Sequence, residues 1–318
     1  MASPRQIKVL YHAFRPTGTE PALPFFHEID ADTLATQLAA LGRLAEGLAG
    51  RAEVRVEIDD GYRSVFSIGV PLIVAAGLPA TVNLSGAMLA GEGLWRDFVR
   101  CLIRDGMVAD FCHHWRMVSG QVLPEEPRGF YRATKSPRFY SPRLRKEIMS
   151  FLEANNPESA AFCRRLAAAP TDLIDHPLVT YGNHGHGHHV MAALSRGDQH
   201  DDVAKNAALM DIWLSGMTQG RRSPVFALPF GRDEDANGDT FAILRELGYE
   251  GLSYSRGRID LGRPGPPFFI TDRWMAPPEY SRFAEALPRL RRRSAMRIAK
   301  GLLRKLLGSL PLLARTRH

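Results

Sequence analysis

Cysteine is scarce in this chain. Its 318 residues hold only Cys101, Cys112 and Cys163, with no Cys-x-x-Cys pair. An odd count without paired spacing fits a reducing compartment better than a disulfide framework. Long apolar runs are also missing, so no stretch reads as a bilayer span. Met1 to Leu10 has no apolar core of the signal-peptide kind, and the expected compartment is the cytoplasm. A surplus of basic charge is missing except at one end. The net charge is +7, yet eleven Arg and Lys and a single acid, Glu285, fall between Arg282 and His318. The rest of the chain is slightly acidic and gives no charge-based reason to expect a nucleic-acid partner.

What is present is enough chain for one large α/β domain. A core of that size needs no structural metal, so a metal here would serve chemistry. Ile7–Tyr11, Val54–Ile58, Ala80–Leu84, Leu178–Tyr181, Val225–Leu228, Gly251–Tyr254 and Phe268–Ile270 read as strands. Between them, Asp32–Leu48, Pro71–Ala76, Val203–Leu214 and Phe241–Leu247 read as helices, with Asp32 as an expected N-cap. Strands alternating with helices indicate a parallel sheet. Residues from about 88 to 170 form an expected helical insertion, where Pro124, Pro127, Pro137 and Pro142 mark irregular backbone.

Two polar clusters sit just after strands. Asp59-Asp60-Gly61-Tyr62 places two acids side by side, which repel unless a cation or another partner separates their roles. Alone, Asp-Asp-Gly is also a common turn. Gly182-Asn183-His184-Gly185-His186-Gly187-His188-His189 carries four histidines in six positions. Such a tract can be a nonspecific metal-binding loop. Two imidazoles and one carboxylate instead leave open positions for water on a hydrolytic metal ion. The spacing leaves His188 and His189 as competitors for the second imidazole.

These residues resemble a known family. Asp59-Asp60-Gly61-Tyr62 is similar to the aspartate motif of the polysaccharide deacetylases (NodB-like, carbohydrate esterase family 4). His184 and His188 match its His-x-x-x-His, Leu194-Ser195 its ending, and Ala227-Leu228-Pro229-Phe230-Gly231 its third motif. The resemblance runs from about residue 7 to residue 275. It implies a distorted (β/α) TIM-like barrel over residues 1–280 and a hydrolase that removes an N-acetyl group from an amino sugar. It also implies a divalent ion, usually zinc, on Asp60, His184 and His188, with Asp59 as general base. The Phe230 N–H would stabilise the oxyanion.

The chain departs from the family pattern in three places. Gly185 replaces a Ser or Thr. Ala227 replaces an arginine that orients the base. The C-terminal Leu-x-His that supplies the general acid has no counterpart after Arg273, but Leu10-Tyr11-His12 has the same form at the other end. First and last strands are neighbours in a closed barrel, so His12 is the expected acid, with Leu10 near the acetyl methyl; the alternative is a core histidine. Arg273 could reach Asp59 in place of the missing arginine. Trp274 and His186 could line the substrate groove.

Residues 281–318 form a separate expected element. Ile298, Leu302, Leu303, Leu306, Leu307 and Leu310 recur at helical spacing among Arg293, Arg297, Lys300, Arg304 and Lys305. A basic amphipathic helix of this kind can lie on an anionic membrane, peripheral to the cytoplasmic face, and would suit a glycan or lipid-linked glycan precursor as substrate. The alternative is a helix packed on the barrel or on a partner. Other functions considered are a deformylase or related amide hydrolase, and a catalytically inactive carbohydrate-binding barrel.

Overall fold

The computed structural model describes residues 5–48, 52–257 and 268–288. Strand β1 (Arg5–Tyr11) is followed by a small side ribbon of β2 (Ala13–Arg15) and β3 (Glu28–Asp30), then helix α1 (Ala31–Gly47) and β4 (Ala52–Ile58). Helix α2 (Val70–Ala75) leads to β5 (Ala80–Leu84). Helices α3 (Gly86–Leu89), α4 (Trp95–Arg104), α5 (Val108–Ser119), α6 (Pro127–Ala133), α7 (Pro142–Asn155) and α8 (Pro157–Arg165) separate β5 from β6 (Val179–Asn183). Helix α9 (Arg196–Leu214), β7 (Arg221–Ala227), α10 (Gly238–Glu246), β8 (Gly251–Tyr254), β9 (Phe269–Asp272) and β10 (Trp274–Met275) follow, and residues 280–288 are helical.

Eight strands form one parallel sheet in the order β10-β1-β4-β5-β6-β7-β8-β9. Its two ends are consecutive pieces of one segment. β9 pairs with β8, the chain breaks step at Arg273, and β10 pairs with β1. The sheet therefore curls into a nearly closed barrel with helices outside it. Alternation assigns the faces. Ile7, Val9, Tyr11, Val54, Val56 and Ile58 join α1 in the outer core. Lys8 and Glu57 sit on the opposite side of their strands, buried inside the barrel as an ion pair of 2.7 Å.

Two local expectations are corrected. The N-cap of α1 is Asp30, which accepts from the Thr33 N–H at 2.9 Å; Asp32 already lies in the first turn. Pro127 and Pro142 open helices instead of interrupting them. The first helical position needs no N–H donor and has the φ that proline supplies. The segment between β5 and β6 has its own apolar cluster, in which Trp95, Phe98, Phe111, Trp115, Phe130 and Leu144 meet the top of the barrel at Val190, Phe226 and Leu228. No helix among the described residues is long and apolar enough to cross a membrane. The basic amphipathic helix expected near the C-terminus falls beyond residue 288, outside the described residues.

Candidate metal centre and active site

The site is built on strand ends, where parallel barrels gather their functional side chains. β4 ends at Ile58 and the chain turns sharply through Asp59 and Asp60. Asp60 has φ of 81°, a left-handed conformation that aspartate tolerates better than most residues. His188 and Phe230 also have positive φ, 49° and 63°. Strain of this kind, ~1–3 kcal/mol per residue, persists where surrounding structure imposes it, and often at functional sites.

β6 delivers the histidines. His184 Nδ1–H donates to the Ala227 carbonyl at 2.8 Å, which leaves Nε2 as the free nitrogen. That Nε2 lies 3.5 Å from Asp60 Oδ1, and His188 Nε2 lies 3.3 Å from the same oxygen. One ligand atom from each of Asp60, His184 and His188 falls within 4.8 Å of the others, and all three residues are buried. Asp60 Oδ1 has no hydrogen-bond donor in proper geometry. A buried carboxylate oxygen without a donor is costly, and a cation between these atoms satisfies it. Two imidazoles and a carboxylate fit a zinc-like divalent ion. Burial alone would raise Asp60, but the two imidazoles hold it well below the usual carboxylate range. Burial and Asp60 pull on His184 in opposite directions, and Asp59 and Asp60 prevail to raise it.

His189 does not join this group. Its ring turns the other way, hydrogen-bonding Tyr140 Oη through Nδ1 and lying 3.6 Å from Asp202 through Nε2. Asp202 also accepts from the backbone N–H groups of His186 at 3.1 Å and Gly187 at 2.7 Å. The loop is thus held by a carboxylate from α9, which takes the work a hydroxyl at residue 185 would have done. Gly185 is required beside it. Its φ is 73°, and a Cβ there would come 2.5 Å from Asp202 Oδ2. Gly185→Ser is therefore expected to destabilise the protein by ~1–2 kcal/mol in urea unfolding, not to restore a missing bond. Unchanged stability would contradict this account of the loop.

Asp59 rests on a polar floor inside the barrel. Its Oδ1 accepts from Arg273 Nη1 at 2.5 Å and from Asn83 Nδ2 at 2.8 Å. Arg273, 0% exposed, enters from the break between β9 and β10 and also faces Glu57 at 3.7 Å. Arg273 thus reaches Asp59, as expected. Burial would raise Asp59, but Arg273, His184 and His12 outweigh it and hold the carboxyl below its ordinary range. Glu57, Asn83, Asp202 and Lys8 were not legible as site residues; the one available signal was that Glu57 shares a strand face with Asp59.

His12 lines the same cavity of about 410 Å³ as Asp59, Asp60, His184, His188 and Phe230. Its Nδ1 lies 3.3 Å from His27 Nδ1, and His27 Nε2–H donates to the Ala276 carbonyl at 2.7 Å. Because the carbonyl only accepts, neutral His27 presents a lone pair at Nδ1. His12 must then donate from Nδ1, which leaves its Nε2 free. Burial lowers His12 to about 3, partly opposed by Asp60. The Phe230 N–H donates to no acceptor among the described residues.

Leu10, Trp274 and His186, expected at the groove, stand outside the cavity lining. Leu10 is fully buried but lies one pleat deeper than His12 and does not line the cavity. Trp274 pairs in register with Val9, so it shares Val9's outward face and packs at a tilt against Phe283, ring centroids 5.5 Å apart; Met275, in register with Leu10, turns inward and lines the cavity. His186 points away from the cavity, with Nε2 3.8 Å from Glu92.

No family model matches the sequence, and no curated protein matches it. Solved structures do match. A polysaccharide deacetylase from Bacillus cereus superposes with a TM-score of 0.50 at 9% identity, over 89% of this chain and 68% of that one. A deacetylase from Streptococcus pyogenes in complex with acetate gives 0.48 at 13% identity, over 87% and 95%. A de-N-acetylase from Aggregatibacter actinomycetemcomitans gives 0.48 at 12%, over 86% and 95%. Together with the parallel eight-strand order, the first of these likenesses shows that the chain has the barrel fold of the polysaccharide (NodB-like) deacetylases.

Proposed function

We propose that the protein is a metal-dependent N-deacetylase of an amino sugar, with zinc as the ion. The observation that carries this reading is the buried Asp60, His184 and His188 group beside an ionised Asp59 in a cavity of small-molecule size. A divalent ion held there lowers the pKa of a bound water and polarises the amide carbonyl. Asp59 has one oxygen anchored by Arg273 and Asn83, so its other oxygen is positioned to take a proton from the attacking water. The Phe230 N–H, unclaimed by the fold, is available to the amide oxygen. The amine leaves only with a proton. His12 is neutral before substrate arrives, and its free Nε2 faces the cavity. Negative charge developing on the substrate raises the proton affinity of this imidazole, so that its Nε2 takes up the proton Asp59 has drawn from the water and passes it to the departing nitrogen.

The test is acetate release from a panel of N-acetylhexosamines and their oligomers, with formylated analogues alongside. Release is expected to stop with chelator and return with zinc. Chelator-insensitive release overturns the metal role, and release of formate alone overturns the deacetylase in favour of a deformylase.

A further inference from the structure

One wall of the cavity is cationic. The start of α4 contributes Arg96 and Arg100, the end of α6 contributes Tyr131 and, just beyond it, Lys135, and the loop after β7 contributes Arg232. Two of these cations are answered locally. Arg100 pairs with Asp97 at 2.6 Å, and Arg232 with Asp235 at 2.7 Å and Glu234 at 2.8 Å.

Arg96 and Lys135 are not. Arg96 is 2% exposed, yet it makes no ion pair among the described residues. Its Nη1 and Nη2 donate to neutral oxygens, Thr134 Oγ1 at 2.8 Å and the Tyr131 carbonyl at 2.9 Å, and its Nε is buried without a partner. The guanidinium is held between the rings of Trp95 and Tyr131, at 4.7 and 4.5 Å. Lys135 also has no acidic partner among the described residues; its Nζ lies 4.7 Å over the Tyr131 ring. A buried charge with no counter-charge is expensive, and two like charges on one wall add repulsion. Aromatic stacking offsets part of this cost and explains the posture of Arg96. It does not explain why a second cation faces the same space. Tyr131 answers these cations only in part: burial is outweighed by Arg100, Arg96 and Lys135, the phenol falls to about 7, and one partly ionised phenol is shared among three cations.

Phe230 connects this wall to the metal centre. Its ring packs on His188 at 4.6 Å and lies 5.9 Å from the Arg96 guanidinium. About one ring therefore separates a candidate metal ligand from a cation without an acidic partner, and a sugar ring spans such a gap. With Tyr131 protonated, Arg96 and Lys135 match a phosphoryl group better than a carboxylate, which would leave one unanswered.

We propose that the acetylated sugar enters carrying a phosphate ester, held by Arg96 and Lys135, while its acetamide faces Asp60, His184 and His188. This rests on the deacetylase reading for the acetamide end, whereas the anion end stands on Arg96 and Lys135 alone.

The test is calorimetry on metal-free, chelated protein, so that binding is read without turnover. N-Acetylglucosamine 1-phosphate is compared with N-acetylglucosamine. Polyprenyl-phosphate-linked N-acetylglucosamine in detergent micelles is compared with polyprenol-linked sugar lacking the phosphate. The phosphorylated member of at least one pair is expected to bind about 10-fold tighter or better, and Lys135→Met, a half-buried change, to remove about 10-fold of that advantage. An advantage confined to the micelle pair assigns a lipid source, and one confined to the soluble pair a free sugar phosphate. Equal binding within both pairs, or an advantage untouched by Lys135→Met, overturns the proposal. Acetate release by the zinc-loaded protein is followed in parallel. Release without phosphate preference sinks the anion site and leaves the deacetylase; phosphate preference without release does the reverse.

Discussion

Asp60→Asn is expected to abolish tight divalent-ion binding while the protein stays folded. Asparagine has the same shape and tolerates the left-handed φ of 81° at this position, so the backbone turn survives. What is lost is the negative charge between two imidazole nitrogens 3.3 and 3.5 Å away. Loss of a mere outer partner costs ~10–100-fold in metal affinity, so loss of a ligand should exceed that range. The measurement is thermal unfolding with and without zinc. Zinc at a thousand times its dissociation constant stabilises a folded site by ~4 kcal/mol, and this shift should vanish in the variant. Asp60→Ala serves as the contrast. It removes the same charge but adds a cost of ~1 kcal/mol or more in the absence of zinc, because alanine resists the left-handed region. An Asp60→Asn protein still stabilised by zinc would remove Asp60 from the ligand set.

Asp59→Asn should produce the opposite pattern, with the ion retained and the chemistry lost. Asp59 Oδ1 is taken by Arg273 and Asn83, and Oδ2 faces the centre, 3.7 Å from His184 Nε2. An asparagine keeps its carbonyl oxygen on the two donors and presents an NH₂ where the free oxygen stood. That group cannot accept a proton. The expected fall in kcat is ~10²–10⁴, the usual contribution of a positioned base, with zinc affinity changed by less than tenfold. Stability should fall by only ~1–3 kcal/mol, because Arg273 keeps a neutral acceptor and still faces Glu57. A kcat within about threefold of the wild-type value would exclude Asp59 as the base.

Some of this site was legible before any fold was known. Asp59-Asp60 and the histidine tract each follow a run with strand character, and parallel strands bring their ends to one face. The parallel sheet was legible from alternation and spacing, which are local properties, whereas its closure into a barrel was implied by the resemblance of the motifs to the deacetylase family. Choosing His188 over His189 was not local. It depends on the turn at His188, with φ of 49°, and on Tyr140 and Asp202 drawing His189 away. The side on which Trp274 falls was not local either, because the break at Arg273 resets the pleat and only the register with β1 shows which side faces inward.

The sequence by itself determined the strand-end acids and histidines and the alternation of strands with helices, because each follows from neighbours a few residues apart. Only the tertiary structure decided which distant charges meet. Arg273 reaches Asp59 across 214 positions, Asn83 anchors the same carboxylate from β5, and Arg96 from α4 and Lys135 from just beyond α6 converge on one wall. A charge in a sequence has no visible partner. Its role depends on burial and on the counter-charge it meets, and both are properties of the folded barrel.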